Sequence, residues 1–106
     1  MKVTIIGATG LLGSELTRFF SARDYKVIPL SQQECDITNK EEVRLVLAKY
    51  APQLIINCAV ILDVDKCEAD PALCYAVNRD GVSNILGTIV ELNIHPTFVQ
   101  ISSSET

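Results

Sequence analysis

Four short apolar runs alternate along the chain with longer segments in which apolar residues recur at helical spacing. The runs are KVTII at 2–6, YKVIPL at 25–30, LIINC at 54–58 and TFVQI at 97–101. The first and third lack the apolar–polar alternation of a half-exposed strand, so they predict strands buried on both faces. Pro29 in the second run suits the end of a strand and not its middle.

The two segments that follow the first and second runs predict helices. Residues 11–22 carry apolar side chains at helical spacing. The next helix is predicted to begin after Thr38, an N-cap for which Glu41 completes a capping box, and to end near Tyr50, where Pro52 closes it.

A third, longer helix follows a predicted loop over residues 59–69. Asp70 as N-cap and Pro71 at the first helical position predict its start, and it is expected to reach about Asn93 before the boundary at Pro96. Strands that alternate with helices of this length predict βαβ units and an α/β fold. We therefore expect a Rossmann-like, doubly wound parallel sheet of four strands in the order 3-2-1-4.

Length and charge narrow the class of protein. A chain of 106 residues is enough for one domain. Its net charge of −4 and pI near 4.8 disfavour a surface that binds a phosphate backbone, so nucleic acid is not an expected partner. No apolar run approaches the ~20 residues that span a bilayer, and the run at 2–6 is too short for the core of a signal peptide. A cytoplasmic location without membrane attachment is the expectation.

The four cysteines are interpreted as reduced, partly buried thiols. Cys35, Cys58, Cys67 and Cys74 show no C-x-x-C spacing, and the single histidine, His95, lies far from them in sequence. Structural zinc sites need closely spaced ligand pairs. No metal site is therefore expected.

The segment GATGLLG at 7–13 lies between a predicted strand and a predicted helix. In a dinucleotide-binding loop, Gly7 would allow the tight turn, Gly10 the approach of a pyrophosphate to the backbone, and Gly13 close packing of helix on sheet. The helix would then direct its free N–H groups and positive dipole end at the phosphates. A glycine-rich turn without a ligand is the alternative reading.

The residues after the second strand leave the choice between NAD and NADP open. An acidic residue is expected there in an NAD site, but the chain has Ser31, Gln32 and Gln33, with no acid until Glu34 and no adjacent arginine that would take a 2′-phosphate. Asp36 farther on would accept a hydrogen bond from the adenine amino group, or else is a solvated turn residue.

Two predicted strand ends add candidate residues at the carboxyl edge of the sheet, where ligands bind in open α/β sheets. Residues 57–60 are small enough to leave room for a cofactor, although a tightly packed strand end would look the same. Ser102, Ser103 and Ser104 offer hydroxyls to an oxyanion or a substrate carbonyl, or simply form a polar strand end.

Taken together, these motifs resemble the extended short-chain dehydrogenase/reductase family, and most closely its dTDP-4-dehydrorhamnose reductase branch, over the whole chain. GATGLLG at 7–13 is similar to the family's glycine motif, and CDIT at 35–38 to its adenine-contacting pair. INCAV at 56–60 resembles the family's Asn-Ala-Ala strand end, and residues 64–82 resemble the corresponding stretch of the sugar-nucleotide reductases. ISSS at 101–104 resembles the strand that supplies an active-site hydroxyl.

The resemblance implies roles for individual residues. The implied catalytic hydroxyl is that of Ser103, with Ser104 as the alternative. The residues implied to contact the pyrophosphate are Gly7, Thr9, Gly10, Leu11, Leu12 and Gly13. Asp36 and Ile37 are implied to contact the adenine, and Cys58, Ala59 and Val60 the inner ribose. Asn78 is implied to lie near the nicotinamide end.

The family's catalytic Tyr-x-x-x-Lys pair does not occur in this sequence, since none of the three tyrosines has a lysine four positions later. The resemblance therefore implies the NAD(P)-binding portion, residues 1–106, of a sugar-nucleotide oxidoreductase, truncated before its substrate domain and inactive alone. The complete enzyme would transfer hydride to a 4-keto-6-deoxy sugar nucleotide.

Two alternatives remain at this point. One is a non-catalytic NAD(P)-binding regulatory module, like the regulatory subunit of methionine adenosyltransferase, and the other is part of a UDP-sugar epimerase or decarboxylase. The expected truncation leaves Thr97–Ile101 as an apolar edge strand, through which the isolated chain is expected to form homodimers or aggregates.

Overall fold

The computed structural model describes residues 1–61 and 64–101, which form one parallel sheet with helices on both faces. The strands are β1 (Lys2–Ile6), β2 (Lys26–Leu30), β3 (Leu54–Asn57) and β4 (Thr97–Gln100). The α-helices are α1 (Leu11–Ser21), α2 (Lys40–Tyr50), α3 (Val64–Ala69), α4 (Pro71–Tyr75) and α5 (Gly81–Glu91), and a π-helical segment, Ala76–Asp80, joins α4 to α5. Within these residues no helix is long and apolar enough to cross a membrane.

The strand order is β2-β1-β3-β4, so the predicted order 3-2-1-4 is wrong although the parallel, doubly wound sheet is confirmed. β1 pairs with β2 on one side and β3 on the other: Val3 faces Val27 and Leu54. Leu30 O, on the β1 side, accepts hydrogen bonds from Gly7 N and Ala8 N, each at 3.0 Å. Pro29 offers no N–H to a further strand, which favours β2 at the edge.

Two hydrophobic clusters lie on opposite faces of the sheet. The cluster on the α1 side contains Val3, Ile5 and Ile56, with Leu16 and Phe20 of α1 packed against it. The other cluster joins the sheet to α2 and α5; its buried members are Ile6, Leu30, Cys35, Ile37, Val43, Leu47, Ile55 and Ile85. Because helices cover both faces of the sheet, a ligand site is expected at the ends of the strands.

α2 begins at Lys40, one residue later than the capping box predicts. Its N-cap is Asn39, whose side chain accepts hydrogen bonds from Glu41 N and Glu42 N. Thr38 is not the cap, because its N–H and hydroxyl both donate to Asp36 Oδ1, at 3.0 and 2.7 Å. The turn made by Asp36 competes for the threonine and moves the start of the helix to the asparagine.

Two further boundaries differ from the prediction. The segment predicted as a loop over 59–69 contains α3, and the long helix predicted after Asp70 is interrupted by the π-helical segment. Asp70 is confirmed as an N-cap, since its carboxylate accepts a hydrogen bond from Leu73 N at 3.1 Å. Short helices without a sustained apolar repeat, such as α3, leave little signal in a sequence.

The cysteines are not all reduced. Cys67 in α3 and Cys74 in α4 form a disulfide, with their Cα atoms 5.5 Å apart, whereas Cys35 and Cys58 are free. The interpretation as thiols is therefore wrong for the first pair. The two cysteines are seven positions apart and become neighbours only through the bend between α3 and α4. The absence of a C-x-x-C pattern therefore could not exclude this disulfide.

Candidate functional site

A cavity of about 290 Å³ opens at the carboxyl ends of β1, β2 and β3. It is bounded by the glycine loop, by the turn that precedes α2, by the segment that leaves β3, and by α3, α4 and the π-helical segment. The lining residues are Gly7, Thr9, Gly10, Gln32, Cys35, Asp36, Ile37, Cys58, Ala59, Val60, Ile61, Lys66, Leu73 and Val77.

Two glycines of the loop are required by the fold itself. Gly7 has a φ of +75°, and a Cβ there would lie 2.7 Å from Ala59 N. A Cβ on Gly13 would overlap Gly7 O and lie 2.8 Å from the Cα of Ala8. The loop, the first turn of α1 and the end of β3 are therefore packed backbone against backbone, without space for a side chain.

Gly10 differs from these two because none of the described residues excludes a side chain there. It has extended backbone angles, φ −71° and ψ 173°, and is the N-cap of α1 without a side-chain hydrogen bond. A Cβ on Gly10 would approach only Gly7 O, at 3.5 Å, which is an ordinary contact. A glycine at this exposed, cavity-lining position leaves the first N–H groups of α1 accessible to an anion.

The turn before α2 brings Asp36 and Ile37 to the cavity. Asp36 holds this turn through the two bonds that its Oδ1 accepts from Thr38. Asn84 Nδ2 donates to Ile37 O at 2.8 Å, and a Cβ on Gly81 would overlap the Ile37 side chain. α5 therefore fixes Ile37 through both its backbone and its side chain.

The end of β3 is organised by Asn57, which is fully buried. Its Oδ1 accepts a hydrogen bond from Ala59 N at 3.0 Å, and its Nδ2 donates to Gln100 Oε1 at 2.9 Å. The side chain thus turns the chain away from the sheet and ties β3 to β4. This turn directs the next residues, Cys58, Ala59 and Val60, along the cavity.

Asn78 does not line the cavity but holds one of its walls. Its Oδ1 accepts from Ile61 N at 2.8 Å, and its Nδ2 donates to Ile61 O at 2.9 Å. The side chain therefore pairs with the backbone of Ile61 as a neighbouring strand would. Ile61 itself lines the cavity.

Two residues implied by the resemblance lie away from the cavity, and two others are not described. Leu11 and Leu12, at the start of α1, are 90% and 43% exposed and do not line the cavity. Ser103 and Ser104 fall outside the described residues.

Sequence reasoning missed six residues that line the cavity. Leu73 and Val77, four positions apart across a helix, could have been found from this spacing. The others carry no pattern that separates them from packed or solvated residues; the six are Gln32, Cys35, Ile61, Lys66, Leu73 and Val77.

The two free thiols at the cavity are protonated at neutral pH. Burial, with smaller contributions from the carboxylates of Glu42 and Asp36, raises the pKa of Cys35 to about 11. Burial also raises the pKa of Cys58. Because the thiolate is the nucleophilic form, neither of these two thiols is suited to act as a nucleophile.

A carboxylate borders the end of β2. Glu34 Oε1 accepts a hydrogen bond from Ser31 N at 3.0 Å. This bond and a second one from the Ser31 hydroxyl hold the pKa of Glu34 below its usual value. Glu34 is therefore ionised at neutral pH.

The sequence is similar to known proteins along most of its length. The family model described as the RmlD substrate binding domain matches residues 1–105. A dTDP-4-dehydrorhamnose reductase of Streptomyces griseus is 40% identical over 77 residues, which are 73% of this chain and 25% of that protein.

Two solved structures share the fold closely. A dTDP-4-dehydrorhamnose reductase ortholog from Clostridium acetobutylicum superposes with a TM-score of 0.86 at 36% identity, covering 96% of this chain and 36% of that one. The reductase from Bacillus anthracis, solved in complex with NADP, gives a TM-score of 0.81 at 30% identity, over 90% and 34% of the two chains. The chain thus spans between a quarter and about a third of the length of these relatives.

Proposed function

Because the chain belongs to the RmlD substrate binding domain family, we propose that it binds NAD or NADP in the cavity at the carboxyl edge of the sheet. The observation that carries this proposal is Gly10, a glycine that the fold does not require, placed at the start of α1 and facing the cavity. A site for a pyrophosphate gives this residue a reason to lack a side chain.

The chain's own residues would hold the dinucleotide along its length. The N–H groups at the start of α1 would bind the pyrophosphate over Gly10, and Thr9 would border it. Asp36 and Ile37 would contact the adenine, and the backbone of 58–60 would lie along the inner ribose. When bound, the reduced cofactor supplies a hydride.

We further propose that this binding unit serves a sugar-nucleotide oxidoreductase, in which hydride passes to a 4-keto-6-deoxy sugar nucleotide. The names of the relatives support this substrate class and favour a reductase over a regulatory module or an epimerase. Ser103, or Ser104, remains the proposed hydroxyl for the substrate carbonyl. A cytoplasmic location belongs to the same proposal, since nicotinamide dinucleotides are cytoplasmic metabolites.

Substitution of Gly10 tests the proposed pyrophosphate contact. We expect Gly10→Val to keep the fold with a modest loss of stability at the start of α1, because a Cβ there meets only Gly7 O, at 3.5 Å, among the described residues. The added side chain would occupy the path of the phosphates, and a clash of about 1–3 kcal/mol corresponds to a dissociation constant for NADH that is about 5- to 150-fold higher. Fluorescence titration with NADH and with NADPH measures this constant.

The matched control is Gly87→Ala in α5, where a Cβ would have no neighbour within 4 Å. It should bind both nucleotides as the unsubstituted chain does. Equal affinity of the Gly10→Val and control variants would contradict the proposed contact, and the failure of the unsubstituted chain to bind either nucleotide at millimolar concentration would contradict the proposed function.

A further inference from the structure

The Cys67–Cys74 disulfide joins α3 to α4 directly behind one wall of the cavity. Lys66 and Leu73, each the residue immediately before a bridged cysteine, both line the cavity. Cys67 Sγ also lies 3.9 Å from the carbonyl oxygen of Ile61, a third lining residue. The covalent bond therefore sets the spacing between neighbouring parts of the wall.

We propose that Cys67 and Cys74 form a reversible thiol–disulfide site that adjusts the affinity of the cavity for its dinucleotide, with the bridged form binding more tightly. This inference rests on the proposed function and adds a regulation to the same site. Disulfides in proteins of reducing compartments are usually transient and redox-sensing. The proposed cytoplasmic location is such a reducing compartment, so a disulfide beside the proposed dinucleotide site is expected to be transient and redox-sensing.

The lengths of the two helices explain why the bond matters. α3 has six residues and α4 has five, whereas isolated helices shorter than about 12–15 residues are marginal in water. The disulfide holds α3 against α4 although both helices are too short to be stable alone. When it is opened, Lys66 and Leu73 lose their fixed spacing, and the dinucleotide must bear the entropic cost of ordering the wall.

The exchange reaction needs an external dithiol or disulfide. Cys74 is 8% exposed and Cys67 is the more accessible of the two. A thiolate of the external dithiol attacks Cys67 Sγ and forms a mixed disulfide, while Cys74 leaves as a thiolate and takes up a proton. The second thiolate of the dithiol then displaces Cys67, so that the dithiol is oxidised and the cysteine pair is reduced; a small-molecule disulfide reverses both steps.

The other two cysteines are unsuited to this exchange. Cys35 and Cys58 are free, and burial raises the pKa of each thiol. A protonated thiol does not attack a disulfide. Any response to a change in redox conditions is therefore expected to come from Cys67 and Cys74.

The test compares two preparations of the chain, one equilibrated with glutathione disulfide and one reduced with excess dithiothreitol. Titration of thiols in denaturant should find two in the first preparation, from Cys35 and Cys58, and all four in the second. We expect the dissociation constant for NADH to rise about tenfold on reduction, within the range typical of coupled sites.

The double variant Cys67→Ser, Cys74→Ser is the control. It should bind NADH like the reduced chain and should not respond to dithiothreitol. Four thiols in the first preparation, or dissociation constants for the two forms of the unsubstituted chain that agree within twofold, would overturn the proposal while leaving nucleotide binding intact. If neither form binds NADH, the proposed function fails and the coupling fails with it.

Discussion

At Gly13 the first turn of α1 lies against the backbone of the loop so closely that a single methyl group would collide with Gly7 O. The same close approach recurs at Gly7, where a Cβ would meet Ala59 N. At Gly10, which lies between them, a Cβ would make only an ordinary contact with Gly7 O among the described residues. The three glycines of one motif therefore do different work: two let backbone pack on backbone, and the third leaves room for a ligand.

This difference predicts opposite outcomes for two alanine substitutions. Gly13→Ala should lower the free energy of unfolding by about 1–3 kcal/mol, because the clash is with backbone that cannot move aside cheaply. Gly87→Ala, in the open on α5, should raise it by about 0.5–1 kcal/mol through the higher helix propensity of alanine. Urea unfolding monitored by circular dichroism measures both, and a Gly13→Ala variant as stable as the unsubstituted chain would contradict the packing described here.

Asn78 offers a second prediction at the residue scale. Asn78→Ala removes the two hydrogen bonds to Ile61, and we expect it to destabilise the wall by about 1–3 kcal/mol and to weaken NADH binding. Ser83→Ala, at an exposed position on α5, should leave both unchanged. A variant at Asn78 with unaltered stability and unaltered NADH affinity would show that Ile61 needs no such partner.

The residues that carry strong local chemistry could be predicted from the sequence. Glycines between a predicted strand and a predicted helix indicated the loop, and Asp70 followed by Pro71 predicted the start of a helix. Thr38 and Asn39 show where this reasoning ends, because both are good caps and the choice depends on a hydrogen bond to Asp36 that only the folded turn makes. The Cys67–Cys74 bridge likewise depends on the bend between two short helices.

At the scale of elements, β2 and β4 form the two edges of the described sheet. The strands themselves were predictable from their apolar runs, but their order was not, since pairing depends on which crossover each helix makes. Pro29 could have indicated the correct position of β2, because a proline favours an edge strand. The order 3-2-1-4 instead requires β2 to be internal.

The β4 edge carries the prediction of homodimers. Val99 is 40% exposed, and an uncovered apolar edge strand pairs readily with another chain. We expect the 106-residue chain to associate with rising concentration, and Val99→Lys to reduce this association, because a charge on the strand opposes pairing. Gln33→Lys, in an exposed turn, is the control of equal charge. Light scattering that shows a monomer at high concentration would contradict the prediction.

At the scale of the whole molecule, the cavity exists because parallel strands end together. The loops that follow β1, β2 and β3 meet at one edge, and the helices that cover the two faces leave that edge open. The described residues that line the cavity come from segments spread along the chain between Gly7 and Val77. The relatives named above, which are nearly three times as long, share this fold.

The most direct measurement of the central claim is the change in backbone amide NMR signals when NADH is added to the chain. Binding as proposed predicts shifts concentrated at residues 7–13, at Asp36 and Ile37, and at 58–61, with the α5 amides near Gly87 unmoved. Signals that stay in place at millimolar NADH, or that move only at residues away from this cavity, would contradict the claim that the glycine loop and its neighbours form a dinucleotide site.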